Sequence, residues 1–161
     1  GMLYGLLCHN RPETISELMI AVTATSLTGS QVVIVGAADL NAGLPGSLLW
    51  SESITVGTTT GVISKTGLSR ALPEWCWLIV LNPNSNAGTV TLRGGPPSLN
   101  AMQILAPFSA SVGNIVALAS PYTSADTLPS SFSSYDVTAG SSSTAGRWGF
   151  TDVFPLISAV V

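Results

Sequence analysis

The residues that could carry out chemistry are few and scattered along this chain. The single histidine, His9, follows Cys8, and such a pair could supply a nucleophile and its base. Adjacent residues of an extended strand point to opposite faces, however, so these two side chains would not meet. The serines lack a G-x-S-x-G elbow, and the segment GTTTG at 57–61 lacks the lysine of a phosphate-binding loop. The sequence therefore predicts a protein that is not an enzyme and has no catalytic residue.

Metal ligands are equally sparse in the sequence. Besides His9 there are two cysteines far apart, Cys8 and Cys76, and eight acidic residues spaced too widely for a calcium loop. Glu13 and Glu17 would lie together only in a helix, where a solvated pair is the simpler interpretation. We expect no metal and no cofactor. The two cysteines allow one disulfide at most, and we expect two thiols, as in a protein made in a reducing cytoplasm.

The four tryptophans allow two interpretations. Trp75 and Trp77 share one face of the most apolar run in the chain and are expected in the core. Trp50 and Trp148 lie in amphipathic stretches. Because flat aromatic faces stack on sugar rings, a carbohydrate-binding or adhesive β-module is the alternative function, with Trp50, Trp148 and Tyr122 as stacking residues. Anchoring a core or an interface is the commoner role of tryptophan in so small a chain.

The low charge of the chain limits the class of protein. Only 8% of residues are charged, against about 25% in ordinary soluble domains, and 46% are hydrophobic. With so few charges, either Ser, Thr, Asn and Gly cover the rest of the surface, as in a secreted β-protein, or the surface is buried against other subunits, as in an obligate oligomer or a capsid-like assembly; we favour a mixture weighted toward assembly. The net charge is −3 and the five basic residues are scattered, so we expect no nucleic-acid partner. No run approaches the roughly 18 apolar residues of a membrane helix, so we expect no membrane partner.

The elements that must position these residues are predicted to be strands. The run Trp75–Leu81 has no polar face, so it is predicted to be a central strand that is covered on both sides. Turn-forming residues at 82–88 and the alternating run Thr89–Arg93 predict that it forms a β-hairpin. Asp39–Ser47 is predicted to be a loop. The other predicted strands are Ile15–Thr25, Gln31–Ala37, Leu48–Val56, Val62–Lys65, and the pair Leu99–Ala106 and Ser111–Ala119. A helical turn at the start of Ile15–Thr25 is the alternative.

The pattern as a whole predicts an all-β single domain over residues 1–161. No stretch of a dozen residues keeps a helical period without glycine, proline or β-branched interruption. Short strands at intervals of about ten residues indicate an antiparallel β-sandwich or jelly roll. Extended segments flank it: residues 1–12 as an N-terminal arm or first strand, the Ser/Thr-rich segment 120–146, and a C-terminal strand or tail over 147–161.

These flanking segments carry the candidate interface residues. They are apolar and aromatic side chains that would be poorly placed in water. The predicted interface residues are Leu3, Tyr4, Leu6, Leu7, Tyr122, Phe132, Tyr135, Phe154, Leu156, Ile157, Val160 and Val161.

One part of the chain combines an apolar strand, an Asn-rich loop, a T-V-T strand and a proline-containing segment that runs back along them. It reads LIVLNPNSNAGTVTLRG, followed by ILAPFSASVGNIV. Over residues 78–116 this pattern resembles phage head-decoration (cement) proteins and other small virion structural β-sandwich proteins. Their composition is similar too, with little charge and much Ser, Thr, Gly and Ala. The resemblance implies a non-enzymatic virion protein that decorates or builds a capsid. It further implies a homo-oligomer, with a trimer expected, and a capsid or other virion protein as partner. The pattern marks sheet topology and transfers no site residue.

Overall fold

The computed structural model describes residues 2–9, 11–26, 31–83, 86, 88–95, 117–121, 127–132, 149–150, 154–155 and 157–161. Over these residues the chain is all-β, as predicted, and contains no helix. The strands in chain order are β1 (Met2–His9), β2 (Glu13–Ile15), β3 (Glu17–Thr25), β4 (Val32–Asn41), β5 (Leu44–Thr55), β6 (Gly61–Lys65), β7 (Arg70–Leu72), β8 (Trp75–Asn82), β9 (Val90–Leu92), β10 (Gly94–Gly95), β11 (Ala117–Pro121), β12 (Gly149–Phe150), β13 (Phe154–Pro155) and β14 (Ile157–Val160).

The larger sheet is built around β8. It has six strands in the order β12-β11-β1-β8-β4-β5, all antiparallel to their neighbours. The strand predicted to be central therefore lies in the middle, between β1 and β4. β1, which contains most of the segment 1–12, is itself an interior strand, paired with β11 on one side and with β8 on the other.

Both faces of β8 are buried, which confirms the prediction from its unbroken apolar run. Successive side chains of a strand point to opposite faces. One set enters the core between the two sheets, and the other enters a second core on the far face of the larger sheet, where Leu128 and Phe132 cover it. The first set is Cys76, Leu78 and Val80, and the second is Trp77, Ile79 and Leu81.

The smaller sheet packs its inner face on the larger one. Its order is β14-β3-β6, and β9 pairs with the remaining length of β3. The β2–β7 pair continues the β3–β6 pair past Ser16, whose carbonyl accepts a hydrogen bond from Leu68 N at 2.9 Å. The described strands thus form the predicted antiparallel β-sandwich, while the jelly-roll order stays a prediction. The inner face of the smaller sheet contributes Leu18, Ile20, Val22 and Ile157 to the core between the sheets, and Ile15 of β2 joins them there.

The predicted hairpin after β8 is wrong, because β9 pairs with β3 of the smaller sheet. β1 and β4 already occupy both edges of β8, so β8 has no backbone groups left for a hairpin partner. The side chain of Asn86 holds the connection: its Nδ2 donates to Val32 O at 2.9 Å, and its Oδ1 accepts from Val32 N at 2.8 Å. The chain then crosses to the other sheet, where Arg93 N donates to Ala21 O at 2.7 Å.

The loop predicted over Asp39–Ser47 is also wrong, because most of it is strand. β4 continues to Asn41 and β5 begins at Leu44, so only Ala42 and Gly43 turn the chain. Both have positive φ, 49° and 87°, as in the tight turns whose twist matches that of the flanking strands. Pro45 lies opposite Leu40 in this β4–β5 pair, and Gly46 lies in the irregular part between the Leu40–Pro45 and Ala38–Leu48 pairs.

Residues 127–132, from the middle of the Ser/Thr-rich segment, cover the far face of the larger sheet. Phe132 is 1% exposed, and Leu128 is buried beside it. The backbone is attached to β5, because Leu48 N donates to Ser130 O and Phe132 N donates to Gly46 O. These bonds also occupy part of the free edge of β5, which is an outermost strand. The predicted strand Leu99–Ala106, and Ser111–Ala119 up to residue 116, lie outside the described residues.

We predict that Phe132→Ala lowers the free energy of unfolding by about 3–5 kcal/mol, because it opens a cavity in the core that covers β8. Urea unfolding followed by tryptophan fluorescence measures this loss. Ser130→Ala is the matched control, since Ser130 is exposed and its backbone carbonyl is retained. A loss below about 1 kcal/mol for Phe132→Ala would show that residues 127–132 do not cover β8 in solution.

Candidate functional site: the β5 margin and the outer face of the smaller sheet

A cluster of charged side chains lies at the edge of the sandwich where β5 is the outermost strand of the larger sheet. We call this edge the β5 margin. Glu52, on β5, points inward and is 8% exposed. Its Oε2 lies 2.7 Å from Lys65 Nζ, and its Oε1 accepts from both Nε and Nη2 of Arg70 at 2.6 Å. Lys65 Nζ also donates to Ser53 O at 3.1 Å. Because Lys65 belongs to β6 and Arg70 to β7, the cluster joins the two sheets at this margin.

Trp50, one of the predicted sugar-stacking residues, belongs to this margin as a structural residue. It is 8% exposed and lies in the core between the sheets. Its indole Nε1 donates to Ala71 O at 2.8 Å, so it provides a second link from β5 to β7. The other two stacking candidates, Trp148 and Tyr122, lie outside the described residues.

The cations beside Glu52 change its acidity. The hydrogen bond from Lys65 lowers the pKa of Glu52, burial opposes this, and the hydrogen bond from Arg70 lowers it further. The carboxylate is therefore held in its charged form. Sequence inspection missed this cluster because Glu52, Lys65 and Arg70 are separated along the chain and meet only when the sheets pack.

A groove of about 650 Å³ lies beside the same margin, between β5 and the β2–β7 pair. Apolar side chains from Pro12, Leu49 and Leu72 line it together with Glu13 and Arg70. Leu49 is 45% exposed, so the groove presents apolar surface to the solvent as well as charge.

Trp75 lies at the surface, which corrects its assignment to the core. It is 42% exposed, because it begins β8 outside the stretch that β4 flanks. Its ring stacks on His9, the residue opposite it in the β1–β8 register, with centroids 4.1 Å apart and an interplanar angle of 14°. Nε2 of His9 lies 3.3 Å from Glu74 Oε1, and Nδ1 is buried with no hydrogen-bond partner among the described residues. We call Trp75, His9 and Glu74 the aromatic platform.

The outer face of the smaller sheet is the second candidate surface. Since Leu18, Ile20 and Val22 of β3 point inward, the alternate positions of β3 and their register partners point outward. Val62 of β6 is 72% exposed, and Val160 of β14 is 40% exposed. We define the outer face as Glu17, Met19, Ala21, Val62, Ser64, Ser158 and Val160, which the β3–β6 and β3–β14 registers place together.

The predicted interface residues separate into two groups. The first serves the fold of one chain: Leu3, Leu6, Phe132 and Ile157 are buried, and Tyr4 and Leu7 are partly buried against the two cores. The second lies at the surface at the end of β14, where Val160 is followed by Val161, 56% exposed. The backbone of Phe154 pairs with Gly95. The side chain of Phe154 and the whole of Tyr122, Tyr135 and Leu156 lie outside the described residues.

No family model matches this chain, and no curated protein and no solved structure matches it either.

The described residues bring no group of three or more His, Cys, Asp or Glu side chains into a metal-binding arrangement. Within the same ranges, no helix is long and apolar enough to span a membrane.

We predict that Glu52→Gln lowers the free energy of unfolding by about 1.5–3 kcal/mol at pH 7, because it weakens charged hydrogen bonds and leaves two cations without their counter-ion. The pKa of Glu52 is lower in the folded chain than its ordinary value of 4.5, so its contribution is present above that value and is lost as the pH falls through the folded-state pKa. Urea unfolding across an acid pH series should therefore show the difference between wild type and Glu52→Gln shrinking toward low pH.

Glu17→Gln is the matched control for this experiment, since Glu17 is next to Leu18, the register partner of Lys65, but its side chain points to the opposite face of the smaller sheet. It should follow the wild-type pH dependence. A difference between wild type and Glu52→Gln that stays constant from neutral to acid pH would contradict the charged state assigned to Glu52.

Proposed function

We propose that this protein is a non-enzymatic structural protein of a virion. It decorates a capsid, or forms a small component of one, and stabilises the assembly through contacts between subunits. The observation that supports the proposal is the outer face of the smaller sheet, where exposed valines lie among small residues and hydroxyl groups. The resemblance of residues 78–116 to head-decoration proteins supplies the virion context.

Burial of this face would supply association free energy. A valine side chain that moves from full exposure to full burial contributes about 1.5–3 kcal/mol. Val62, Val160 and Val161 are 72%, 40% and 56% exposed, so in proportion each would contribute about 0.6–2 kcal/mol before the costs of association are subtracted. Interface cores are depleted in charged residues, and the middle row of this face, Ser158, Met19 and Ser64, has no charge, whereas Glu17 lies at one end.

The proposed partners are copies of the same chain and a capsid or other virion protein. A trimer is the expected homo-oligomer, and the virion is the proposed location of a chain made in the host cytoplasm. Leu3, Leu6, Phe132 and Ile157 stabilise the subunit itself, so the contacts between subunits are assigned to Val62, Val160 and Val161.

A carbohydrate-binding or adhesive module is the second candidate, and the aromatic platform favours it. An exposed indole held against a second ring, with a carboxylate beside it, offers a flat stacking surface and a hydrogen-bond acceptor. Trp75 replaces the buried Trp50 as the described residue best placed to stack on a sugar.

We predict that the double substitution Val62→Lys and Val160→Lys converts the oligomer to a monomer, because two charges would have to be desolvated in the interface. Mass photometry and sedimentation velocity at micromolar concentration measure the change. The fold should tolerate both substitutions, since Val62 and Val160 are 72% and 40% exposed in the single chain.

Leu40→Lys is the matched control, because Leu40 is also 40% exposed but belongs to the larger sheet. It should leave the oligomer intact. The assembly proposal fails if the wild-type chain is a stable monomer at micromolar concentration with no affinity for capsid shells, or if the double variant has the mass and melting temperature of the wild-type oligomer.

For the second candidate, we predict that Trp75→Ala removes glycan binding on an array of immobilised glycans, whereas Trp75→Phe keeps part of it. Stacking on a sugar requires a flat aromatic ring, which phenylalanine retains and alanine lacks. Leu40→Ala controls for the loss of an exposed apolar side chain elsewhere. Absence of glycan binding by the wild-type chain, or equal binding by Trp75→Ala, would exclude the aromatic platform as a sugar site.

A further inference from the structure

The two cysteines of the chain, far apart in sequence, lie directly opposite each other in the folded protein. Cys8 of β1 and Cys76 of β8 are register partners in the antiparallel β1–β8 pair. Both are thiols and both are buried, at 3% and 1% exposure. Both side chains belong to the core between the two sheets, so they point to the same face of the larger sheet.

This arrangement satisfies the geometry of a disulfide. Residues directly opposite each other in an antiparallel pair have Cα atoms about 4.5–5.5 Å apart. A disulfide spans Cα separations of about 4.4–6.8 Å. Because the pair already shares a face, rotation of the two side chains can bring the sulfurs together without a shift of the β1–β8 register. In the present state the Cys8 thiol donates to Leu6 O at 3.4 Å.

We propose that Cys8 and Cys76 form a redox-active dithiol that closes into a cross-strand disulfide when the protein meets a low-molecular-weight disulfide such as oxidised glutathione. One cysteine, as a thiolate, attacks the small disulfide and releases one glutathione thiol, which leaves a mixed disulfide on the protein. The second thiolate displaces the remaining glutathione. The protein loses two protons and two electrons, and the oxidant is reduced to two glutathione thiols.

The position of the pair near one end of the β1–β8 ladder gives a route for the oxidant. Among the described residues, the register of β1 with β11 ends at Leu6 and that of β8 with β4 ends at Trp77. Within the described part of the chain, Cys8 and Cys76 thus lie where β1 and β8 pair with each other beyond the last partners in β11 and β4. Opening of such a strand end requires less free energy than global unfolding.

The same burial keeps the dithiol slow to react while the strand end is closed. Burial raises the pKa of the Cys8 thiol, and the neighbouring Cys76 raises it further. Because the thiolate is the reactive species, the closed state resists oxidation.

Once formed, the disulfide would join the strand at the centre of the larger sheet to its neighbour and enclose most of the first half of the chain. It would thereby restrict the unfolded state. This inference concerns the core of one chain and does not depend on the proposed assembly.

The test compares two preparations of wild-type protein. One is kept in excess reduced glutathione, and the other is incubated natively in oxidised glutathione. After denaturation and alkylation of remaining thiols, intact-mass measurement should find both cysteines alkylated in the first and neither in the second. Peptide mapping should recover the Cys8–Cys76 link. The oxidised protein should melt about 5–10 °C higher, as expected for a disulfide in a domain of this size.

A second experiment ensures that burial does not keep the oxidant from the two thiols. The chain is unfolded in urea and refolded in a glutathione redox buffer, so that the buried thiols meet the oxidant before the core closes. Cys8→Ser and Cys76→Ser are matched single-thiol controls, and each should show no increase in melting temperature on oxidation. The proposal is overturned if the refolded wild-type chain keeps two alkylatable thiols. Mixed glutathione disulfides, or links between chains on a non-reducing gel, in place of the internal bond would overturn it as well.

Discussion

The burial of β8 on both faces is the constraint on which the rest of this structure depends. A strand without a polar face needs a cover on each side, since exposed apolar surface is unfavourable in water. The smaller sheet supplies one cover, and Leu128 and Phe132 supply the other. The backbone groups of β8 also need hydrogen-bond partners on both edges, and β1 and β4 provide them. Because both edges are occupied, β9 pairs with β3 of the other sheet.

Polar contacts cover part of the exposed edge of the larger sheet at β5. β5 is an outermost strand, and part of its edge is occupied by residues 130–132. Farther along, the inward-pointing Glu52 and the lysine that reaches Ser53 O make the edge less suited to pairing with another chain. A chain with few charges thus places three of them at one margin. There they join two sheets and do not contribute to an extended charged surface.

The outer face of the smaller sheet has exposed valines, hydroxyl groups and one charged residue, Glu17, while the aromatic platform lies at one end of the β1–β8 pair. The two surfaces suit different partners. A flat, weakly charged sheet face can be covered by another protein surface over a large area. Under the second candidate function, the exposed indole of Trp75, stacked on His9, offers its other face to a sugar ring. The opposed thiols lie in the core of the single chain, and their register pair is next to the His9–Trp75 pair of the aromatic platform.

The sequence by itself determined the all-β class, the central position of Trp75–Leu81 and most strand positions, because alternation and β-branched content act locally along the chain. It could not determine which strands pair, because the edges left open at β8 and β3 depend on residues distant in sequence. For the same reason only the tertiary structure brought Glu52, Lys65 and Arg70 together and set Cys8 opposite Cys76. Composition indicated apolar surface for assembly, but packing decided that Leu3 and Phe132 belong to the core while Val62 and Trp75 face outward.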